Sequence, residues 1–290
     1  MSMPGWSVQP VPEMTPEQYD KWQNLLEGRT SNHFSWQRRS ILQANLAGRM
    51  RELGLNDYDA YYQRVTAPDG SLEWTTLVER LTVHETRFFR HQPSFELMTS
   101  FLEQRIAEKQ QSGLELWSVG CSTGEETWSL AMTVCQLLRQ SEQVIRYSVT
   151  GTDISLKVLA HARQGEYIRR RLGDLSTEFQ QRYFEDGLGD ALKIGSLLRE
   201  RVCFTRVNVL DLERAPMSNM DVIFCQNLLI YFRPWRRRII LGQLAERLAH
   251  GGLLILGPGE ITDWTHPDLQ QVNNDQVLAF YRQTGATCSK

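Results

Sequence analysis

Residues 114–131, LELWSVGCSTGEETWSLA, hold the pattern that decides the fold. The short apolar run at 114–119 predicts a buried strand, and the helical spacing at 128–138 predicts a helix. Gly120 and Gly124 bracket the turn between them. In an open parallel sheet, ligands bind where strands end in such turns, because glycine lets the backbone approach a ligand closely.

Strands and helices alternate through the rest of this half of the chain. The predicted strands are residues 144–150, 202–207, 222–225, 253–256 and 277–281, and the predicted helices include 156–162 and 235–248. This alternation indicates an α/β fold with a mostly parallel sheet covered on both faces. Residues 165–200 break the rhythm, since they are polar, Arg-rich and interrupted by glycines. We interpret them as an insertion.

The first part of the chain has a different pattern. Residues 15–82 carry helical spacing without strand alternation, and Thr15 with Gln18 forms a capping box at the start. The predicted organisation is a flexible tail at 1–14, a helical domain at 15–82, a linker and connecting helix at 83–111, and the α/β domain at 112–290.

Composition and charge restrict the possible functions. Hydrophobic residues make up 41% of the 290 residues and charged residues 23%, as in a soluble globular protein. Lys+Arg is 32 against Asp+Glu 34, which argues against a nucleic-acid or membrane-surface binder. The chain starts without the basic and apolar regions of a signal peptide, and no apolar stretch reaches the ~20 residues of a membrane span. We therefore expect a cytoplasmic protein without direct membrane insertion.

Cysteine and histidine patterns favour neither disulfides nor a metal. The five cysteines form no CxxC pair, and their odd number is typical of a reducing compartment. The six histidines show no HExxH spacing, so we predict no metal site.

Acidic and amide side chains follow three of the predicted strands. Glu125 and Glu126 begin a helix, where two carboxylates would repel a pyrophosphate but suit a positive group and sugar hydroxyls. Asp153 follows the next strand, at the place where an acid accepts hydrogen bonds from ribose. Asn227 and Tyr231 follow a third strand. Capping acids, a turn Asn and a core aromatic remain the alternatives, but together these residues favour an adenosine-bearing ligand.

Five motifs in order resemble the chemoreceptor glutamate methyltransferases of the CheR family. They are TVHETRFFRH (82–91), VGCSTGEETWSLA (119–131), GTDISLKVLAHARQGEY (151–167), VNVLDL (207–212) and DVIFCQNLLIYF (221–232). The resemblance covers about residues 15–283. It implies a class I S-adenosylmethionine-dependent methyltransferase domain of Rossmann-like fold, an N-terminal helical domain and a small inserted antiparallel β subdomain. A looser likeness is to family members associated with type IV pili.

The resemblance also implies an activity. S-adenosylmethionine would be the cofactor and S-adenosylhomocysteine the product, and the methyl group would pass to glutamate side chains of methyl-accepting chemoreceptors for adaptation in chemotaxis or pilus motility. An alternative is a non-catalytic S-adenosylmethionine-binding partner of a chemosensory system. A nucleic-acid methyltransferase is disfavoured because Asn227 begins no NPPY motif, and a nicotinamide dehydrogenase because the glycine turn is acidic and wrongly spaced.

Site residues follow from the matching motifs. The implied cofactor contacts are His84, Thr86, Arg90, Gly120, Glu125, Asp153, Asn208, Val209, Asn227 and Leu228. Arg90 and Tyr231 are the implied catalytic residues, of which Arg90 orients a carboxylate and Tyr231 positions the acceptor and walls the methyl group. His84 and Gln226 depart from the family pattern, which usually has Asn and Arg at these positions.

A basic segment predicts where the receptor binds. Residues 28–51 contain five arginines and neither Asp nor Glu. Receptor methylation helices are Glu-rich in this family, so we expect Arg38, Arg39 and Arg49 to bind the cytoplasmic helices of the receptor. A solvated helix face is the alternative. A second basic run, at residues 233–238, would lie near the rim of the site. We expect a monomer that is recruited to membrane receptor arrays; whether the insertion binds a receptor peptide is left open.

Charge reversal tests the basic segment. The double substitution Arg38→Glu/Arg39→Glu should weaken receptor methylation and leave cofactor affinity unchanged, because the steering attraction is lost and the cofactor site is not touched. Receptor binding measured across a salt series checks this, since screening weakens such attraction. The same receptor affinity as the wild type at every salt concentration would contradict it.

Overall fold

The computed structural model describes residues 13–30, 33, 36–81, 85–107, 113–141 and 144–283. The chain divides into two compact units, residues 1–83 and 84–290. The predicted tail at 1–14 lies almost wholly outside the described residues. No helix in the described part of the chain is long and apolar enough to cross a membrane.

The first unit is helical, as its spacing predicts. Its α-helices are α1 (Pro16–Thr30), α2 (Arg39–Glu52), α3 (Tyr58–Thr66) and α4 (Ser71–Leu81), with a 3₁₀ turn at Trp36–Arg38. The capping box at α1 is present, because the Thr15 and Gln18 side chains each accept the other's backbone N–H at 3.2 Å. Trp22, Leu46 and Tyr61 are fully buried in the core that the helices enclose.

A buried carboxylate cross-links three helices of this unit. Glu73 accepts two hydrogen bonds from the Arg49 guanidinium, from Nε at 2.9 Å and Nη2 at 2.8 Å, and a third from the Tyr61 hydroxyl at 2.8 Å. The Arg49 bonds hold the pKa of Glu73 below its usual range, against the opposing effect of burial. Glu52 takes the remaining arm of the guanidinium at 2.9 Å. The charges of Arg49 on α2 and Glu73 on α4 thus compensate each other inside the unit.

The second unit is built on a seven-stranded sheet. Its strands are β1 (Gly113–Val119), β2 (Arg146–Asp153), β6 (Val202–Arg206), β7 (Met220–Cys225), β8 (Leu248–Leu256), β9 (Leu269–Gln271) and β10 (Leu278–Arg282). Their order is β6-β2-β1-β7-β8-β10-β9. The first five in that order are parallel, and β10 pairs antiparallel with β8 and β9. The predicted parallel α/β sheet is confirmed.

Buried side chains cover both faces of this sheet. Successive residues of a strand belong to different cores: Leu116 of β1 and Phe224 of β7 to one, and Trp117 of β1 and Ile223 of β7 to the other. This follows from the two-residue period of a strand. The helices of the unit are α5 (Gln92–Ala107), α6 (Glu125–Ser141), α7 (Leu156–Gln164), α8 (Thr177–Tyr183), α9 (Ser196–Arg199) and α10 (Pro234–Arg247).

The predicted insertion at 165–200 is a small antiparallel sheet. It consists of β3 (Glu166–Ile168), β4 (Phe184–Asp186) and β5 (Ala191–Ile194), in the order β3-β5-β4. Helix α8 precedes β4, and a 3₁₀ turn at Arg169–Leu172 follows β3. The antiparallel subdomain is confirmed.

Two strand boundaries differ from the predictions by three residues or more. Strand β2 continues to Asp153, three residues beyond the predicted end, because its neighbours β1 and β6 supply ladder partners there. Strand β8 begins at Leu248, directly after α10, and its first pairing is offset from the rest by a register shift between Met220 and Val222. A polar His-Gly-Gly segment concealed this early start.

The Glu73 cross-link predicts a stability change. Glu73→Gln should lower the unfolding free energy of the helical unit by about 3 kcal/mol, because it leaves Arg49 without its main partner. Chemical denaturation of the full chain measures this, with Asp69→Asn on an exposed turn as the control. The pKa of Glu73 is lowered, so its contribution is present above the ordinary value and is lost as pH falls through the folded one. Equal stability of the variant at pH 7 would contradict the assignment.

Candidate active site at the carboxyl edge of the sheet

The five parallel strands deliver the predicted site residues to one edge. Gly120 follows β1, Asp153 ends β2, Asn208 follows β6 and Asn227 follows β7. A fifth turn, which begins at Gly257 after β8, joins them. Because parallel strands share the direction of their carboxyl ends, the turns meet along one rim.

The glycine turn after β1 has a backbone shape that favours glycine. Gly120 has φ 76° and Gly124 has φ 96°, both in the left-handed region. A Cβ at Gly120 would lie 3.1 Å from the Leu228 side chain, and one at Gly124 would lie 2.8 Å from the Cβ of Ala162. Two motifs that are distant in sequence, at 119–131 and 221–232, therefore touch here.

Asp153 connects the ends of β1 and β2. One carboxylate oxygen accepts the backbone N–H of Ser122 at 2.9 Å, and the other accepts that of Ser155 at 2.9 Å. The backbone carbonyl of Asp153 also accepts the N–H of Val207, which follows β6. Each carboxylate oxygen retains a second lone pair, so the fixed carboxylate can still accept hydrogen bonds from a ligand.

Glu125 does not have the environment expected of a cofactor contact. It is buried, and its carboxylate accepts from Arg171 Nη1 at 2.9 Å and from Thr123 Oγ1 at 2.6 Å. Its charge is therefore neutralised by an arginine of the inserted subdomain. The sequence could not show this, because Arg171 lies 46 residues further along the chain.

Glu126, the second acid of the pair, forms no ion pair with another residue that the structure describes. Its side chain is half-buried and accepts the Ser118 hydroxyl at 2.7 Å. The pKa of Glu126 is raised to about 7, mainly by burial and to a smaller extent by the nearby charge of Glu260, against the opposing effects of the Ser118 bond and the charge of Arg90. A cation placed beside Glu126 would restore an ordinary carboxylate pKa.

Glu260 holds the turns after β7 and β8 together. Its carboxylate accepts the backbone N–H of Leu229 at 2.8 Å and that of Gly257 at 2.7 Å, and the amides of Leu228 and Ile230 add to these. Burial raises the pKa of Glu260 in spite of these bonds. Sequence reasoning missed this residue, although its place after a predicted parallel strand was a usable signal.

Arg237 donates hydrogen bonds to backbone carbonyls next to the same turn. Its Nε donates to the Phe232 carbonyl at 2.8 Å, and its Nη1 donates to the Glu260 carbonyl at 2.7 Å. These bonds fix the 3₁₀ turn at Leu229–Tyr231, on which the half-buried Tyr231 lies. The turn is thus held through its amides by Glu260 and through a flanking carbonyl by Arg237.

Gln226, where the family resemblance implies an arginine, forms a neutral hydrogen-bond network next to this turn. The Gln226 amide donates to the Ser94 hydroxyl at 2.8 Å and to the Leu256 carbonyl at 3.0 Å. Asn227, the next residue, has φ 59°, a left-handed conformation that Asn tolerates better than most residues. The charge of Arg90 lowers the pKa of Glu126, and the neutral Gln226 adds no such effect.

The remaining predicted cofactor contacts have varied surroundings. Arg90 is half-buried and donates to the Glu85 carbonyl at 2.7 Å. Thr86 is half-buried, and Asn208 is half-buried with its side-chain oxygen accepting the Leu210 N–H at 3.1 Å. Val209 is buried. His84 lies outside the described residues.

The predicted receptor-binding arginines are not equivalent. Arg49 is bound by Glu73 and Glu52, so its guanidinium is an internal cross-link and the expectation of a receptor contact does not fit its geometry. Arg39 is exposed and lies over the Trp36 ring at 4.5 Å. The side chain of Arg38 lies outside the described part of the chain.

The chemistry of this edge fits the implied cofactor. Glycine backbone lines the first turn, Asp153 offers acceptors for hydroxyls, and Glu126 is a half-buried carboxylate suited to a cation. The Ser122 hydroxyl is buried and has no hydrogen-bond partner within the described residues. S-adenosylmethionine carries both the hydroxyls and the positive charges that such a set would bind.

Comparisons with known proteins agree on one family. Residues 84–278 match the CheR methyltransferase, SAM binding domain, and residues 17–82 match the CheR methyltransferase, all-alpha domain. A chemotaxis protein methyltransferase of Salmonella typhimurium is 33% identical over 77% of this chain and 76% of its own. One of Escherichia coli is 32% identical over 77% of both chains. A probable biofilm formation methyltransferase, WspC, of Pseudomonas putida is 34% identical over 80% of this chain and 54% of its own.

The Glu260 bonds predict a loss of stability. Glu260→Gln should lower the unfolding free energy by roughly 3 kcal/mol, because an amide NH₂ would face backbone N–H donors that need acceptors. Asp263→Asn, an exposed carboxyl three residues further on, is the matched control. Thermal unfolding of both variants without ligand checks this. A Glu260→Gln protein as stable as the control would contradict the role.

Proposed function

The chain belongs to the CheR family of S-adenosylmethionine-binding methyltransferases, and from this we propose that it methylates glutamate side chains of methyl-accepting chemoreceptors. The products would be a glutamyl methyl ester and S-adenosylhomocysteine. The observation that carries the proposal is Glu126, a half-buried carboxylate that forms no ion pair with another described residue, at the rim where the parallel strands of the S-adenosylmethionine-binding domain end.

We assign the cofactor to the turns at this rim. Asp153 would accept the ribose hydroxyls, and Glu126 would face positive charge. The backbone at Gly120 and the residues Asn227 and Leu228 would flank the ligand. Thr86, Asn208 and Val209 keep their implied roles, and Glu126 replaces Glu125 as the acid nearest the ligand charge.

The reaction needs no general base. When bound, S-adenosylmethionine supplies a methyl group on a positively charged sulfur. The acceptor carboxylate has an ordinary pKa near 4.3, so it is ionised at neutral pH and attacks directly. The new O–CH₃ bond would form as the S–CH₃ bond breaks, and the electron pair of the broken bond would remain on sulfur. Most of the rate enhancement would come from alignment, which can supply ~7–11 kcal/mol.

Two side chains would provide that alignment. The Arg90 guanidinium is always charged, and its planar fork matches a carboxylate, so it would orient the acceptor or the carboxylate of the cofactor. Tyr231 would position the acceptor and wall the methyl group. Glu260 and Arg237 hydrogen-bond to the backbone of the turn that carries this ring.

The partners and location follow from the same proposal. The substrate would be the cytoplasmic helices of the receptor, and the enzyme would act as a cytoplasmic monomer recruited to receptor arrays. The similar proteins include a chemotaxis protein methyltransferase and a probable biofilm formation methyltransferase, which supports a chemosensory setting. An assignment to type IV pili stays a prediction.

Methyl transfer to the receptor tests the proposed function. The purified protein, radiolabelled S-adenosylmethionine and membranes carrying the cognate receptor should give receptor-bound label that alkali releases as methanol, as expected of a carboxyl methyl ester. Label that resists alkali, or cofactor binding without any transfer to the receptor, would contradict it. The second result would favour the non-catalytic binding partner.

Substitution of the two positioning residues should lower the rate. Tyr231→Phe and Arg90→Ala should each reduce kcat/KM by roughly tenfold or more, equivalent to about 1.4 kcal/mol of lost transition-state stabilisation. Tyr281→Phe on β10 and Arg146→Ala at the start of β2 are matched controls at a distance from the rim. Wild-type turnover in either rim variant would remove that residue from the mechanism.

Cofactor affinity should depend on pH through Glu126. With its pKa near 7, protonation removes the charge that binds the cofactor, so affinity should fall as pH drops below about 7 and level off above it. Glu126→Gln should flatten this dependence and weaken binding at pH 8. Calorimetric titration measures both, with Glu103→Gln on the exposed side of α5 as control.

Ionisation of Glu126 should have the opposite effect on the stability of the ligand-free protein. The folded pKa of Glu126 lies above the unfolded value near 4.3, so its favourable contribution is full below 4.3 and is lost as pH rises through 7. Glu126→Gln should therefore stabilise the ligand-free protein at pH 8 while it weakens cofactor binding. An unchanged pH profile of affinity in the variant would contradict the assignment.

A further inference from the structure

Three large apolar side chains are exposed where β7 leads through the Tyr231 turn into α10. Ile230 is 43% exposed, Trp235 is 52% exposed and Ile239 is 46% exposed. Trp235 and Ile239 are four residues apart, so they lie on one face of the helix. The opposite face of α10 is packed into the core through Ile240 and Leu241. An exposed Trp with two exposed Ile residues within ten positions is typical of a binding surface.

The same stretch is strongly basic. Arg233, Arg236 and Arg238 accompany the apolar residues, and residues 222–245 contain neither Asp nor Glu. The Arg236 guanidinium lies over the Trp235 ring at 4.3 Å, and Arg238 is exposed with one arm on the Asp263 carbonyl at 3.0 Å. Within the described residues, neither Arg236 nor Arg238 forms an ion pair with a carboxylate. We call Ile230, Trp235, Ile239 and these three arginines the rim strip.

Hydrogen bonds fix the rim strip to the proposed acceptor site. Arg237, in the first turn of α10, donates to the carbonyls of Phe232 and Ile230, on either side of Tyr231. A partner that rests on α10 therefore lies next to the turn that carries Tyr231. Any acceptor carboxylate must reach this turn if the proposed function is correct.

We propose that the rim strip is a docking surface for an acidic amphipathic helix of the methyl-accepting substrate. This proposal rests on the proposed function. It adds a second contact between the enzyme and its substrate, on the same unit as the cofactor rim. Apolar side chains of the helix would pack on Trp235 and Ile239, and its glutamates would face Arg236 and Arg238. A helix of this kind presents glutamates at spacings of three and four residues, which brings successive carboxylates to one side.

An anionic membrane surface is the rival occupant, since Trp and Arg also bind such surfaces. The packing of α10 disfavours it, because Ile240, Leu241 and Leu244 are committed to the protein core. The helix therefore cannot turn its main apolar face into a bilayer. The two occupants are separated in the experiment.

The experiment measures binding and turnover separately. The variants are Trp235→Ala/Ile239→Ala and Arg238→Glu. The matched controls are Val144→Ala and Arg146→Glu, exposed residues just before and at the start of β2, the strand end away from the rim. One probe is a soluble cytoplasmic fragment of a chemoreceptor with its glutamate-bearing methylation helices, and the other is vesicles of phosphatidylcholine and phosphatidylglycerol. Fluorescence anisotropy gives Kd for the fragment, and radiolabel transfer gives KM and kcat.

The expected result is a loss confined to substrate binding. Both rim-strip variants should raise Kd and KM for the fragment at least tenfold, with kcat within twofold and unchanged affinity for S-adenosylhomocysteine, while the controls match the wild type. The Arg238→Glu loss should shrink at high salt.

Three results would overturn a claim, and they are distinguishable. Wild-type KM and Kd in the variants would overturn the rim strip alone. Vesicle binding that depends on the rim strip, with unchanged fragment binding, would replace the helix by a membrane. Fragment binding that depends on the strip, without any methyl transfer by the wild type, would overturn the proposed function and leave the docking surface standing.

Discussion

The carboxylate of Glu260 is the constraint on which the rim depends. It is buried between two strand ends and accepts hydrogen bonds from backbone N–H groups of the turn after β7 and of Gly257 after β8. These donors lie beyond the strands, so they have no partner among the described strands of the β-sheet. An unpaired buried amide is costly, so this carboxylate stabilises the turn at residues 228–230. Arg237 binds the carbonyls of Ile230 and Phe232 on either side of Tyr231. The two side chains together hold the turn that carries Leu228 and Tyr231.

The buried charge of Glu260 also affects Glu126, and this favours the binding of a cationic ligand. The charge of Glu260 disfavours the ionised form of Glu126, and the neutral Gln226 adds no cation to the turn after β7. Arg90 compensates in part. A site that holds excess negative charge in partial burial favours a cationic ligand over its neutral product, since the sulfonium loses its charge when the methyl group leaves. The rim would thus bind the donor and release the spent cofactor with the same group.

The fold was accessible from the sequence because it depends on local periodicity. The apolar run at 114–119 and its glycine turn predict β1 and its place in a parallel sheet, and the broken rhythm at 165–200 predicts the inserted subdomain. Residue roles were harder, because neighbours in the chain face different partners. Glu125 and Glu126 are adjacent, yet one is neutralised by Arg171 and the other is not. Arg49 belongs to a stretch without acids, but α4 supplies Glu73 to it. Such pairings arise only when the chain folds.

The most direct test of the account is a calorimetric titration of the purified chain with S-adenosylhomocysteine, repeated with Asp153→Asn. We expect saturable binding of one molecule per chain and a clear loss of affinity in the variant. The backbone N–H groups of Ser122 and Ser155 hold the Asp153 carboxylate in place, and its remaining lone pairs would accept the ligand hydroxyls. No detectable heat in the wild type, together with no rise in its unfolding temperature, would contradict the existence of the pocket at this edge of the sheet.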